Sequence, residues 1–295
     1  MQLGFLAELL NTVEDGLKVE LFDFVARVIS VASNRTFYGP RNPYEKLPDL
    51  LDRFWEWENG MVSILVGIIP KITARRAHKG LQACAEKFAE YERTGGHADA
   101  HHIVKARIDS HLRHGISLME RSKLDAGLGF AFNVNASITA FWVLSNIYSR
   151  PGLLARLRDE VHANALSQPA TLSFGRLRDS GVQWVKEDTI IANQYLVRKG
   201  SVARAAGTVL HHDKATCGPD AESFNPDRFL HSTNGTKTDP SGSFESKSNI
   251  PSTAFRSFGG GKHMCPGRHF ATAEILSLSA VMILGFEFET VDKSA

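Results

Sequence analysis

A mainly α-helical fold with a small β region is what this sequence predicts, on three observations. Apolar residues recur three and four positions apart through most of the chain before Gln168. Alternation of β-branched and aromatic residues is confined to a short stretch after it. A glycine-rich loop then leads into one last apolar helix.

Helical spacing runs over 19–33, 47–57, 71–93 and 101–121, and Gly39-Pro40, Asn59-Gly60 and Gly95-Gly96 break the runs. The segment 126–148 is a helix of another kind. No ionised side chain occurs from Ala126 to Ser149, which suits a helix buried on all sides in the middle of a domain. Its Asn133, Asn135, Thr139 and Asn146 would need hydrogen-bonding partners in lipid, which favours burial in protein over a membrane span. Residues 61–69 are apolar too but stop at Pro70, far short of the roughly 20 residues that cross a bilayer. Pro151 opens the next helix, which continues to His162. Residues 182–185, 189–197 and 201–210 read as extended, with a turn at Arg198-Lys199-Gly200. The stretch 231–253, rich in Ser, Thr, Asn, Gly and Lys, reads as a surface loop, and 268–284 as the closing helix.

With 295 residues, 43% of them apolar, the chain is long enough for one large domain with a sizeable core. We take 1–295 as a single domain: residues 1–168 are helical and contain a central helix at 122–149, and 169–295 hold the β region, the glycine-rich loop and the last helix. The 34 Lys and Arg against 32 Asp and Glu, net +2, leave no electrostatic footprint for nucleic acid. Three scattered cysteines, Cys84, Cys217 and Cys265, make neither a disulfide framework nor a CxxC metal clip, so reducing surroundings are the default. Glu8 interrupts the first apolar residues and no basic segment precedes them, which argues against a secretory signal.

The chemical signal lies between Phe255 and Arg268. Alone, Cys265 would be a small buried hydrophobe, but its neighbours suit a thiolate held under a flat, hydrophobic metal cofactor. Gly259, Gly260 and Gly261 let the backbone approach a planar ligand with no Cβ in the way. Phe258 would shield the sulfur from water. Pro266 and Gly267 turn the chain into the helix from Arg268, whose positive dipole end suits an anionic sulfur. His263 is placed to hydrogen-bond an acidic edge of the cofactor. A cysteinate on haem iron donates electron density that favours O–O cleavage. Zinc, the competing metal, takes several Cys or His ligands in tetrahedral array, and only His263 is near.

From Phe258 to Gly267 the string fits F-G-x-G-x-[RH]-x-C-x-G and resembles the haem-binding cysteine loop of the cytochrome P450 family. Phe224-Asn225-Pro226-Asp227-Arg228-Phe229 is similar to that family's meander motif, F-x-P-x-R-F. The helix at 126–148 resembles the one that crosses the distal face of the haem. In place of the usual acid and alcohol pair it carries Asn135, with Phe141-Trp142 six residues on, which is similar to the branch of sterol 7α-hydroxylases and prostacyclin synthase. The likeness covers about 19–289, and only its last seventy or so residues are highly specific.

This resemblance implies a partial cytochrome P450 fold and a haem b cofactor, iron protoporphyrin IX, with Cys265 as axial iron ligand and Phe258, Gly259, Gly261, His263 and Gly267 around it. It places Asn135 on the distal side, with Thr139 one turn further on the same face. An amide can hydrogen-bond bound dioxygen or peroxide but is no general acid. The alternative is that Asn135 caps a carbonyl in a packed bundle and Thr139 only fills space. The implied activity is a monooxygenase that uses O2 and electrons from an NADPH-dependent reductase on an apolar substrate, sterol-like, lipid or a secondary-metabolite intermediate. Two alternatives are a haem-thiolate isomerase or dehydratase of a peroxide, and a degenerate relative that is no enzyme. The resemblance implies the cytosolic face of the endoplasmic reticulum if an upstream anchor exists, and a soluble intracellular protein as written.

Two family features are missing from the sequence. An E-x-x-R pair should stand between Pro151 and Phe224, yet Glu160, Glu187 and Glu222 have no arginine three residues later. Glu90 and Arg93 fit the spacing but precede the central helix and read as a solvated pair. Arg228 must then find Glu222, Asp227 or water, since an unpaired buried guanidinium is costly. A W-x-x-x-[RK] helix is absent too, because none of Trp55, Trp57, Trp142 and Trp184 has a basic residue four positions on. The expectation is a chain that begins inside the usual fold.

Overall fold

A computed structural model of the chain describes residues 18–67, 69–165, 183–184, 187–191, 193–203, 207–226, 228, 250, 257–259 and 264–289. Contacts divide it into two compact units, Met1–Ala163 with Ala271–Ala295, and Asn164–Phe270. The expectation of a mainly α fold with a small β region holds.

The first unit is helical. Helix α1 (Leu21–Tyr38) outruns its expected end by five residues and stops at Gly39, whose φ of 76° only glycine adopts freely. Then follow α2 (Pro43–Lys46), α3 (Pro48–Asn59), α4 (Met61–Val66), α5 (Pro70–Thr73) and α6 (Arg75–Arg93). The expected single helix over 71–93 is therefore broken before Arg75. A 3-10 turn (Gly96–Asp99) leads to α7 (His102–Arg113).

The helix expected over 101–121 is two helices. Gly115 sits at φ 67°, and Ser117 starts a new helix with a capping box, its hydroxyl and backbone both bonded to Glu120. The central helix consequently begins at Leu118, before the expected 122. It runs as α8 (Leu118–Gly129), a π-helical segment (Phe130–Val134) and α9 (Asn135–Tyr148). By length and composition, 118–148 could cross a membrane, yet Ala126, Asn133, Ala136, Ala140 and Leu144 are buried in protein contacts.

Two cores flank that helix. One gathers Tyr38, Tyr44, Phe54, Phe88, Val104 and Ala126. The other packs Val25 and Ile29 of α1 and Ala140 and Leu144 of α9 against Leu278 and Met282 of the last helix, α13 (Arg268–Gly285). Helix α10 (Pro151–Ala165) joins this seam where Arg158 donates to the carbonyl of Ile283 at 3.0 Å.

The second unit holds two antiparallel strand pairs, β1 (Gln183–Trp184) with β4 (Val202–Ala203) and β2 (Thr189–Ile191) with β3 (Tyr195–Val197). The run expected to be extended over 189–197 folds into a hairpin at Asn193, φ 56°, a conformation asparagine tolerates. The last stretch of 201–210 is helical instead, in α11 (Gly207–His211), followed by α12 (Lys214–Cys217). The expected loop 231–253 lies almost wholly outside the described residues.

Candidate functional site

The cysteine loop is built by backbone geometry. Gly259 adopts φ 71°, which turns the chain back sharply after Phe258. The turn is closed when Cys265 N–H donates to the Phe258 carbonyl at 2.9 Å. Arg268, first residue of α13, donates through its guanidinium to the Cys265 carbonyl at 3.1 Å. A Cβ at Gly267 would stand 3.8 Å from the sulfur, ordinary contact. Cys265 is half-buried and its thiol is free. Phe258, Gly259, Cys265 and Gly267 thus lie in one turn, whereas Gly261 and His263 lie outside the described residues.

Next to this loop in sequence, the meander arginine finds partners the sequence did not suggest. Arg228 pairs with Asp220 at 2.8 Å and donates to the carbonyls of Cys217, Asp220 and Ser223 at 2.6, 2.6 and 2.8 Å. Its expected partner Glu222 lies instead near Lys214, 3.5 Å away, and Asp227 is outside the described residues. Asn225, also of the meander, and Arg228 both donate to Asp220 and hold its carboxyl below the usual carboxylate range. Four acceptors on a five-donor guanidinium replace the absent glutamate.

In the first unit, Asn135 and Thr139 lie on the exposed stripe of α9 with Ile138 and Trp142, 41% and 59% exposed. Thr139 Oγ1 donates to the Asn135 carbonyl at 2.8 Å, so its proton is committed to the helix backbone. The asparagine that is buried is Asn133, in the π-helical segment. Its Oδ1 accepts from Asn34 Nδ2 at 2.9 Å, and the same Nδ2 donates to the Ser30 carbonyl at 2.7 Å.

Glu274 is a residue the sequence reading passed over. It lies on the apolar helix α13, 2% exposed, and accepts from Ser33 Oγ at 2.5 Å. Burial pushes its carboxyl up to about 8 despite that hydrogen bond. Ser33 and Asn34 stand side by side on α1, so one face of that helix meets a carboxyl and an amide. One acid in a run of apolar residues looks like noise in sequence, and only the facing serine shows that it is held.

The described part of the loop presents a donor that suits haem iron. One free thiol is presented, and no group of three or more His, Cys, Asp or Glu able to hold a metal ion occurs among the described residues. A single thiolate is what haem iron takes from such a loop, with no second protein ligand required.

The family model for cytochrome P450 matches residues 176–295. A cytochrome P450 monooxygenase of Hypoxylon pulicicidum, nodJ, is 30% identical over 92% of this chain and 57% of its own length. The chain belongs to the cytochrome P450 family. Cholesterol 7-alpha-monooxygenase of Cricetulus griseus is 24% identical over 92% of this P450 and 60% of its own length. A bifunctional cytochrome P450/NADPH--P450 reductase of Bacillus subtilis is 33% identical over 35% of this chain and 8% of its own. This P450 spans little more than half the length of the first and second of these relatives. Its family implies a haem cofactor.

Proposed function

We propose that this chain carries the haem-binding portion of a monooxygenase that inserts one oxygen atom of O2 into an apolar small molecule. The observation that carries the reading is the half-buried free thiol of Cys265 in a loop pinned by the Cys265–Phe258 backbone bond at a left-handed glycine. Cys265 would hold the iron of protoporphyrin IX through its sulfur, and His263 a carboxylate of the porphyrin. Bound there, the haem supplies activation of O2, and the thiolate's electron donation favours O–O cleavage. Overall, substrate, O2, two electrons and two protons give the hydroxylated product and water.

The protein's own contribution follows from the exposed stripe of α9. Ile138 and Trp142 present apolar surface on it, which would suit an apolar substrate. The family resemblance would give Asn135 an amide donor's part on the distal side, with no transferable proton. The Thr139 hydroxyl already donates its hydrogen bond to the Asn135 carbonyl. Electrons come from a reductase, a reading supported by the relative whose name joins P450 and reductase in one chain. A sterol-like or other apolar secondary-metabolite substrate is supported by the likeness to the 7-alpha-monooxygenase.

The test is the absorption spectrum of the haem-loaded chain, reduced and bound to CO. The thiolate-type Soret band is expected for the wild type and lost in Cys265→Ser with the fold retained. A protein that takes up no haem overturns the reading in favour of a non-catalytic relative. Turnover of a peroxide without reductase or O2 would replace the monooxygenase by an isomerase.

A further inference from the structure

Helix α7 is tied firmly at one end only. At its N-cap, His101 N–H donates to the Phe37 carbonyl at 2.8 Å, and the two rings meet edge to face at 5.8 Å. Arg41 holds the 3-10 turn before it, through Asp99 at 2.9 Å and the Gly95 carbonyl at 2.9 Å. Past its other end stands Gly115, at φ 67° and with nothing within 4 Å of where a Cβ would be. Of the twelve residues of α7 only Val104 and Ile108 are buried, against seven in α6 between Ala77 and Tyr91. Few buried contacts and an open glycine mark a helix end of low local stability.

The inner face of α7 is only half met. Val104, Arg107, Ile108 and His111 are spaced three and four apart and share that face. The two apolar residues sit in the first core, but the two basic ones find poor partners. Arg107 Nε stands 3.6 Å from Asp125 Oδ1, beyond hydrogen-bond range, and Arg107 Nη2 reaches the Leu124 carbonyl only at 3.4 Å. Arg107 Nε, Asp125 Oδ1 and His111 Nδ1 are all buried with no hydrogen-bond partner among the described residues. Glu92 cannot serve them, because Arg121 holds it at 2.6 to 2.9 Å. The other titratable groups facing this seam are Tyr91 of α6, Tyr38 of α1 and His114 beyond the last turn of α7. Three unmet polar atoms on one seam weigh against its closure.

We infer that the C-terminal half of α7, from Arg107 to His114, is a flap that lifts from α6 and α8 about Gly115, with Asp125 and His111 setting how often it opens. Lifting bares Ile108 and gives the three unmet polar atoms their water. With the flap closed, burial pushes the Asp125 carboxyl up to about 6, against roughly 3.9 in water. Lifting therefore releases a proton at Asp125, and opening rises with pH from roughly 3.9 to about 6 and levels above it. His111 acts in the opposite sense. Burial, with Arg107 and Arg121 beside it, holds its imidazole below the ordinary value, so lifting takes up a proton and opening falls as pH rises through the imidazole range. Gly115 stands three residues before the central helix begins, and Asp125 lies within that helix. The flap is independent of whether Cys265 binds haem.

Amide hydrogen exchange of the full chain, read by mass spectrometry and corrected for the intrinsic pH dependence of exchange, tests this. In the wild type, amides 107–114 should open together and about tenfold or more as often as those of α6 and α8. Asp125→Asn removes the limb that rises with pH, so opening of 107–114 should then only fall as pH increases. His111→Gln removes the falling limb and should leave a rise of up to roughly a hundredfold between about pH 4 and 6.5. A helix end that merely frays would show the same pH slope in both variants. The inference is overturned by that result, by amides 107–114 as well protected as those of α6, or by α6 and α8 opening together with them.

Discussion

The central helix and the cysteine loop are held in place by opposite means. Around α9, position comes from side chains: Asn133 on Asn34, Glu274 on Ser33, and a core of Val25, Ile29, Leu144 and Leu278. Around Cys265 it comes from the backbone, with one left-handed glycine, one N–H to carbonyl bond and an arginine on the cysteine's own carbonyl. Change in the first region should therefore be read in global stability, and change in the second in ligand retention.

The largest effect expected concerns Glu274. Its carboxyl sits at about 8 in the folded chain against roughly 4.3 when unfolded. Between those values the unfolded state holds fewer protons, so stability falls as pH rises from roughly 4.3 to about 8 and levels beyond it. Glu274→Gln should remove this slope, worth on the order of a few kcal/mol, in denaturant melts recorded across that range. A wild-type curve flat in pH would refute the buried neutral acid.

Two asparagines two residues apart sharpen the contrast within the helix. Asn133→Ala removes one of the two acceptors of the buried Asn34 Nδ2, leaving only the Ser30 carbonyl, and should cost about 1–3 kcal/mol. Asn135→Ala, on the exposed stripe, should stay within about 0.5 kcal/mol in the same melts. Equal costs would mean that the two faces are wrongly assigned.

The glycines carry the contrast across regions. Gly259→Ala forces a left-handed alanine and should cost about 1–2 kcal/mol locally, seen as faster loss of haem to a scavenging apoprotein with the melting temperature little changed. Smallest of all, Gly127→Ala in α8, where a Cβ meets nothing within 4 Å, should stabilise the chain by up to about 1 kcal/mol. A melting-temperature drop from Gly259→Ala as large as that from Asn133→Ala would erase the distinction.

The same contrast decides what could be read in the sequence. The loop was legible because its conformation restricts residue type: only glycine is at ease at position 259, and the family string records such demands in order. Helix existence was legible from periodicity, and Gly39 stopped α1 as read. Gly115 was missed because a single glycine between two amphipathic runs costs the pattern nothing, although its φ and the Ser117-Glu120 box split the helix. Asn193 was missed because alternation continues across a hairpin. The partners of Arg228 and Glu274 were illegible for another reason. Three of the four arginine contacts are backbone carbonyls, which sequence does not label, and Ser33 lies 241 residues from Glu274.

The central claim is an iron–sulfur bond at one position, and iron-edge X-ray absorption of the haem-loaded chain measures it most directly. One axial sulfur scatterer is expected in the wild type, absent in Cys265→Ser and retained when the buried Cys84 and Cys217 are replaced by alanine. No sulfur on the wild-type iron, or a sulfur that survives Cys265→Ser, would contradict the account.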